Sequence, residues 1–151
     1  MTPTMKKEIR LPKLIVKKSN IHGKGVFTLE PIKEGQRIIE YTGEKIPGKE
    51  GDRRSEMDDK LTYIFILDDK YDIDGSVNGN EARLINHSCN PNSYTDIIDG
   101  KIYILADKDI ISGEEISYDY SLEADEAMKC KCGAKKCRGV VNDPDSDYES
   151  K

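Results

Sequence analysis

Four cysteines constrain this chain more than any other feature of its sequence. Three stand close together in "CKCGAKKCRG" as Cys130, Cys132 and Cys137, and the fourth, Cys89, lies far upstream in "RLINHSCNPNS". Read together they form a C…C-x-C-x4-C arrangement, and thiolates at this density suit zinc. Four unligated thiols are the alternative. A disulfide framework belongs to an oxidising compartment, which nothing else in the sequence indicates.

A chain of 151 residues has room for one domain with a real core. Hydrophobic residues make up 36% and charged residues 35%, so the core must be lean and the surface heavily solvated. No apolar run approaches the roughly 18–20 residues of a membrane span, and "MTPTMKKEIR" lacks the apolar stretch of a secretory signal. The expected location is therefore the cytoplasm or the nucleus, without secretion and without a membrane. The formal charge of −5 and the acidic tail "NDPDSDYES" argue against a nucleic-acid backbone as main ligand. A basic peptide or protein fits that charge better.

The chain reads as mostly β. "KLIVKKS", "GVFTLE", "QRIIEYTGEKI", "LTYIFILDD" and "KYDIDG" are short runs rich in Ile, Val, Tyr and Leu, bounded by Gly, Pro and Asp. "SYTDIIDGKIYILAD" reads as a hairpin, because Asp99-Gly100 is a favoured type I′ turn between alternating apolar residues. "EEISYDYS" supplies another strand. The charged stretch from Pro47 to Lys60 predicts an exposed loop or short helix, and residues 80–86 predict one or two helical turns capped by Asn80.

Several motifs carry chemistry. "NIHGKGVF" brackets Lys24 with Gly23 and Gly25 ahead of a strand, which allows a tight turn or a close approach to a ligand. An ordinary turn would read the same way, and the spacing is not that of a dinucleotide fold. Asn86 and His87 fall between apolar Leu84-Ile85 and Cys89, so their side chains need internal partners. Tyr118 and Tyr120, two apart on a predicted strand, share a face, whereas Tyr41 and Tyr63 sit on other predicted strands. Tyrosines could form plain core, or an apolar wall with hydroxyl tips.

In this order, "HGKGVF", "EYTGE", "GNEARLINHSCNPN", "GEEISYDY" and "CKCGAKKCRG" resemble the motifs of SET-domain protein lysine methyltransferases with a post-SET zinc segment, trithorax-type domains above all. The resemblance implies a fold of small β-sheets in which the "NHSC" and "YDY" segments meet in a knot-like crossing. It divides the chain into an N-terminal extension (1–12), a SET domain (13–123), a post-SET zinc segment (124–142) and an acidic tail (143–151). It implies S-adenosylmethionine as cofactor, with Lys24, Gly25, Tyr63, Arg83, Asn86 and His87 as its contacts. It makes Tyr120 the catalytic tyrosine, Tyr41 a wall of the lysine channel and Tyr118 the position that sets product state. It places Cys89, Cys130, Cys132 and Cys137 around one structural zinc, since four thiolates leave no open position for water.

The implied reaction transfers a methyl group to a lysine of a histone tail or similar basic protein, with an activating partner protein as in some relatives. A phenol at Tyr118 leaves less room for a methylated amine to react again, which predicts mainly monomethylation. Two departures stand out: there is no cysteine-rich segment ahead of the SET-like core, and Lys24 replaces an aromatic found in many relatives. A methyltransferase of non-histone targets and a non-catalytic peptide-binding module are the competing readings.

Overall fold

The computed structural model describes residues 10–57, 63–120, 130, 132, 134–135 and 137–143. Residues 1–9 of the expected N-terminal extension, 58–62 at and just past the end of the charged stretch, 121–123 of the expected SET domain, 124–129, 131, 133 and 136 of the expected zinc segment, and 144–151 of the acidic tail lie outside the described residues. Among the described residues ten short strands form three small sheets, as the mostly β reading expects.

The first sheet is an antiparallel pair, β1 (Leu14–Lys18) and β2 (Lys24–Thr28), with Val16 opposite Val26. Leu14 and Val16 pack on the core while Ile15 between them is exposed, the period-two pattern of a half-buried strand. The run "QRIIEYTGEKI" forms two strands instead of one: β3 (Arg37–Glu40) joins the second sheet and β4 (Glu44–Pro47) the third. The break falls at Gly43, where a side chain would collide with the carbonyl of Asp74. Only glycine lets the backbone pass there and change sheets.

The third sheet continues with β5 (Ile64–Ile66) and β6 (Tyr71–Asp74), in the order β4-β6-β5. Between β4 and β5 the charged stretch includes an eight-residue helix, α1 (Gly48–Ser55). Two glycines among its eight residues give it little intrinsic propensity, and the other positions are five charged residues and a serine. It is held instead by Arg54, which binds Asp74 at 3.0 Å, Glu44 at 2.8 Å and Glu50 at 3.1 Å. Gly51 lies against the Asp72 carboxylate with no space for a Cβ.

The second sheet has five strands in the order β3-β9-β8-β10-β7, built from β7 (Asn86–His87), β8 (Ser93–Ile98), β9 (Lys101–Ala106) and β10 (Ser117–Tyr118). β8 and β9 form the predicted hairpin, and Asp99 and Gly100 take φ values of 52° and 76°, both positive as a type I′ turn requires. β10 is shorter than the run "EEISYDYS" predicts and leaves Tyr120 beyond its end. Residues 81–84 make a single 3₁₀ turn, and the Asn80 side chain accepts from the N–H of Ala82 as the capping pattern predicts. Val26, Ile38, Ile85, Ile104 and Ile116, together with Tyr41 and Tyr118, fill the core where the sheets meet.

Candidate functional site

β7 and β10 run parallel, with Asn86 opposite Ser117 and His87 opposite Tyr118. Parallel strands need a long connection between them, and here it is the whole β8–β9 hairpin and the loop after it. The "NHSC" and "YDY" segments therefore meet in space, and the site is built at their junction.

Tyr120 is fixed from both ends. Its N–H donates to His87 Nδ1 at 3.0 Å and its hydroxyl donates to the carbonyl of Ile85. Because Nδ1 is an acceptor, the proton of the neutral ring sits on Nε2, which faces Cys89 Sγ at 3.3 Å. Burial lowers the basicity of His87 against the opposing pull of Asp119, in keeping with a neutral ring.

Asn86 is buried, and its amide nitrogen reaches Glu115 Oε2 at 2.9 Å, Ser19 Oγ at 3.1 Å and the carbonyls of His22 at 3.0 Å and Lys24 at 3.1 Å. It thereby ties β7 to the "HGKG" turn. Together these elements enclose a cavity of about 550 Å³ lined by Lys24, Tyr63, Arg83, Asn86, His87 and Tyr120 among the predicted residues, and by Cys130 and Cys132. Ile21, His22, Leu84 and Val141 complete much of the wall. Gly25 lies in β2 outside that lining, and a Cβ there would overlap the Glu115 carboxylate.

Tyr41 and Tyr118 stand behind the cavity, not on it. Tyr118 lies 4.9 Å from Tyr120 between ring centroids, Phe65 lies 6.0 Å from Tyr118, and Tyr41 lies 4.6 Å from Phe65. The Tyr41 hydroxyl donates to the carbonyl of Tyr63 at 2.7 Å. Burial pushes the phenols of Tyr41, Tyr118 and Tyr120 well above the ordinary tyrosine value, with neighbouring tyrosines adding to the effect. All three stay protonated at neutral pH.

The four cysteine sulfurs lie within 4.8 Å of one another. Cys89 Sγ is 3.8 Å from Cys130 Sγ and 3.9 Å from Cys137 Sγ. Two thiolates about 2.3 Å from one tetrahedral ion stand roughly 3.8 Å apart, so the cluster fits zinc. Backbone N–H groups of Arg138 and Gly139 point at the sulfurs of Cys89 and Cys137 at 3.4 Å each. Burial pushes the Cys89 and Cys130 thiols up; at Cys132 burial is outweighed by the N–H groups of Cys89 and Ala134 together with the Cys130 and Cys137 thiols, and the thiol falls to about 6.

Some working residues escaped the sequence reading. Arg138 grips Asp119 through both terminal nitrogens, at 2.6 Å and 3.0 Å, and so ties the cysteine segment to the residue before Tyr120. Asn92 donates to the carbonyl of Glu115 at 2.8 Å and accepts from the N–H of Ser117 at 3.0 Å, holding the start of β10. Its place in "NHSCNPN" was the available signal.

The SET domain family profile matches residues 23–121. The chain belongs to the SET-domain family. It is 40% identical over 95% of its length to histone-lysine N-methyltransferase ATX2 of Arabidopsis thaliana. It is also 40% identical over 83% of its length to histone-lysine N-methyltransferase trithorax of Drosophila virilis. Identity to histone H3-lysine(4) N-trimethyltransferase ATX1 of Arabidopsis thaliana is 41% over 87% of the chain. The chain spans only 14%, 4% and 13% of these relatives' own lengths. The cysteine cluster is consistent with a post-SET segment behind the SET domain.

Proposed function

We propose that this chain is a protein-lysine N-methyltransferase that moves a methyl group from S-adenosylmethionine to a lysine of a histone or similar basic protein. The observation that carries the reading is the cavity at the β7–β10 junction. One half-buried tyrosine, Tyr120, belongs both to its wall and to the row of aromatic rings behind it. Membership of the SET family and similarity to proteins named histone-lysine N-methyltransferases support the same reading. Work on histones would put the protein in the nucleus.

The residues present fit the cofactor. A cavity of about 550 Å³ falls in the range of roughly 300–1,000 Å³ typical of small-molecule sites. Lys24, Arg83 and His22 give its lining a basic character that suits the carboxylate of an amino-acid moiety, while Leu84, Ile21 and Val141 offer apolar surface. Bound there, S-adenosylmethionine would supply an electrophilic methyl group on a sulfonium.

The chain's own part is desolvation and alignment. A lysine amine, with an ordinary pKa of about 10.4, must be neutral to attack. The rings of Tyr41, Phe65 and Tyr118 make a dry, apolar surrounding that disfavours the ammonium form. Tyr120 stays a phenol and acts as an oriented dipole, not as a phenolate base. Held by His87 and Ile85 before any ligand arrives, it needs no rearrangement to align the reacting atoms.

Tyr118 supports monomethylation, because its buried hydroxyl takes up space and hydrogen-bonding capacity next to Tyr120. The similarity to ATX1, which is named a trimethyltransferase, makes product state a sharp test of this point. Calorimetric binding of S-adenosylmethionine, followed by transfer of labelled methyl to histone H3 and to lysine-free control protein, tests the proposal. Labelled H3 and an unlabelled control are expected. Binding without transfer to any lysine-bearing protein would favour the peptide-binding reading.

A further inference from the structure

The carboxylate of Glu115, in "GEEISYDY", is half-buried against Ser19 and Asn86, at the "HGKG" turn that lines the cavity. We propose that Glu115, acting through Ser19 and Asn86, is a positioning residue that sets the shape of the cofactor site before any ligand binds. The inference rests on the reading of the cavity as an S-adenosylmethionine site.

Glu115 follows the turn at Glu114 and bridges to Phe27 of β2, so its backbone is fixed against the first sheet, while Asn92 binds its carbonyl at 2.8 Å. Both carboxylate oxygens lie 2.7 Å from Ser19 Oγ, and Oε2 also accepts from Asn86. Ser19 in turn accepts from the N–H of Ile21 at 2.8 Å and of His22 at 3.3 Å, and its own N–H closes the turn on the carbonyl of Gly23 at 2.8 Å. A hydroxyl has one hydrogen to give and two lone pairs to accept with. Here the hydrogen goes to Glu115, and the lone pairs are shared among the turn's two N–H groups and the Asn86 amide at 3.1 Å.

The carboxylate suits this place because it only accepts. Two donors, the Ser19 hydroxyl and the Asn86 amide, converge on it. A glutamine at 115 would present an NH₂ group to one of them, and Ser19 has no lone pair left to receive it. The bareness of Gly25 belongs to the same device, since any Cβ there would displace the carboxylate. Residues 19–25, 86 and 115 are thus one unit. Five of its members, Ile21, His22, Gly23, Lys24 and Asn86, line the cavity.

The test uses the full chain with zinc bound. Hydrogen exchange of the Ile21 and His22 amides is compared in wild type, Ser19→Ala, Ser19→Thr and Glu115→Gln, with the dissociation constants for S-adenosylmethionine and S-adenosylhomocysteine measured in parallel. Exchange confined to residues 19–25 should quicken by about 10-fold or more in Ser19→Ala and Glu115→Gln. Both dissociation constants should rise about 10- to 100-fold, and Ser19→Thr, which keeps the hydroxyl, should restore both readouts. A Ser19→Ala variant with wild-type exchange and wild-type binding would overturn the inference. So would quickened exchange spread evenly over the whole domain, which marks general destabilisation. If Glu115→Gln fails to fold, the two Ser19 variants decide alone. If wild type binds neither ligand, the cavity reading falls, and the exchange comparison still decides whether Glu115 orders the turn.

Discussion

His87 holds Tyr120 by its backbone: the imidazole Nδ1 accepts the Tyr120 N–H at 3.0 Å, while the other ring nitrogen faces Cys89 at 3.3 Å. One side chain therefore joins the tyrosine of the cavity to the cysteine cluster. Fold, cysteine cluster and candidate chemistry converge on three residues of chain, 87 to 89.

Metal and tyrosine should consequently fail together. We expect one zinc per chain in the purified protein, and Cys132→Ser should lose most of it, with at least about a 10-fold loss of methyl transfer. Elemental analysis and thiol titration of the same samples check this. Stoichiometric zinc in the variant would contradict it.

Removing the hydroxyl of Tyr120 deletes an oriented dipole and leaves the ring packing intact. Tyr120→Phe should fold with a near-normal melting temperature and transfer methyl about 10²–10³-fold more slowly. Single-turnover rates with pre-bound cofactor separate this loss from weaker binding.

Tyr118→Phe should shift the product toward di- and trimethyl-lysine, because it frees space and removes one hydroxyl beside Tyr120. Mass spectrometry of the modified peptide reads the change directly. An unaltered ratio would remove Tyr118 from the control of product state.

Alkaline behaviour follows from the three buried phenols. Their folded-state values lie above the ordinary value of about 10 because burial opposes the phenolate. A raised folded value gives stability that is complete below that ordinary value and is lost as pH climbs past it toward the folded value. Activity should rise with pH as the substrate amine loses its proton, then fall above about pH 10 together with the fold. Absorbance titration should show Tyr41, Tyr118 and Tyr120 ionising only on unfolding.

Much of this was legible in the sequence, for identifiable reasons. The cysteines announced themselves because their close spacing is that of a ligand set, and Asp99-Gly100 because positive φ at both turn positions restricts residue choice. The predicted single strand across "QRIIEYTGEKI" hid a change of sheet, since a glycine that admits a neighbouring carbonyl looks like any other glycine. The roles of Glu115 and Arg138 were illegible for a related reason, although both stand inside quoted motifs. Their partners, Ser19 at a separation of 96 residues and Asp119 at 19, are chosen by tertiary proximity, which leaves no period or spacing to read. Tyr41 and Tyr118, expected at the lysine channel, lie behind the cavity, whose lining draws on the "HGKG" turn, Tyr63, Arg83, β7 and Tyr120.

The most direct measurement of the central claim is mass spectrometry of a histone H3 peptide set incubated with zinc-loaded protein and S-adenosylmethionine, with Tyr120→Phe in parallel. The account predicts one lysine carrying a single added methyl group with wild type, and almost none with the variant. Wild-type protein that binds S-adenosylmethionine yet leaves histone H3 and whole-lysate lysines unmodified would contradict it.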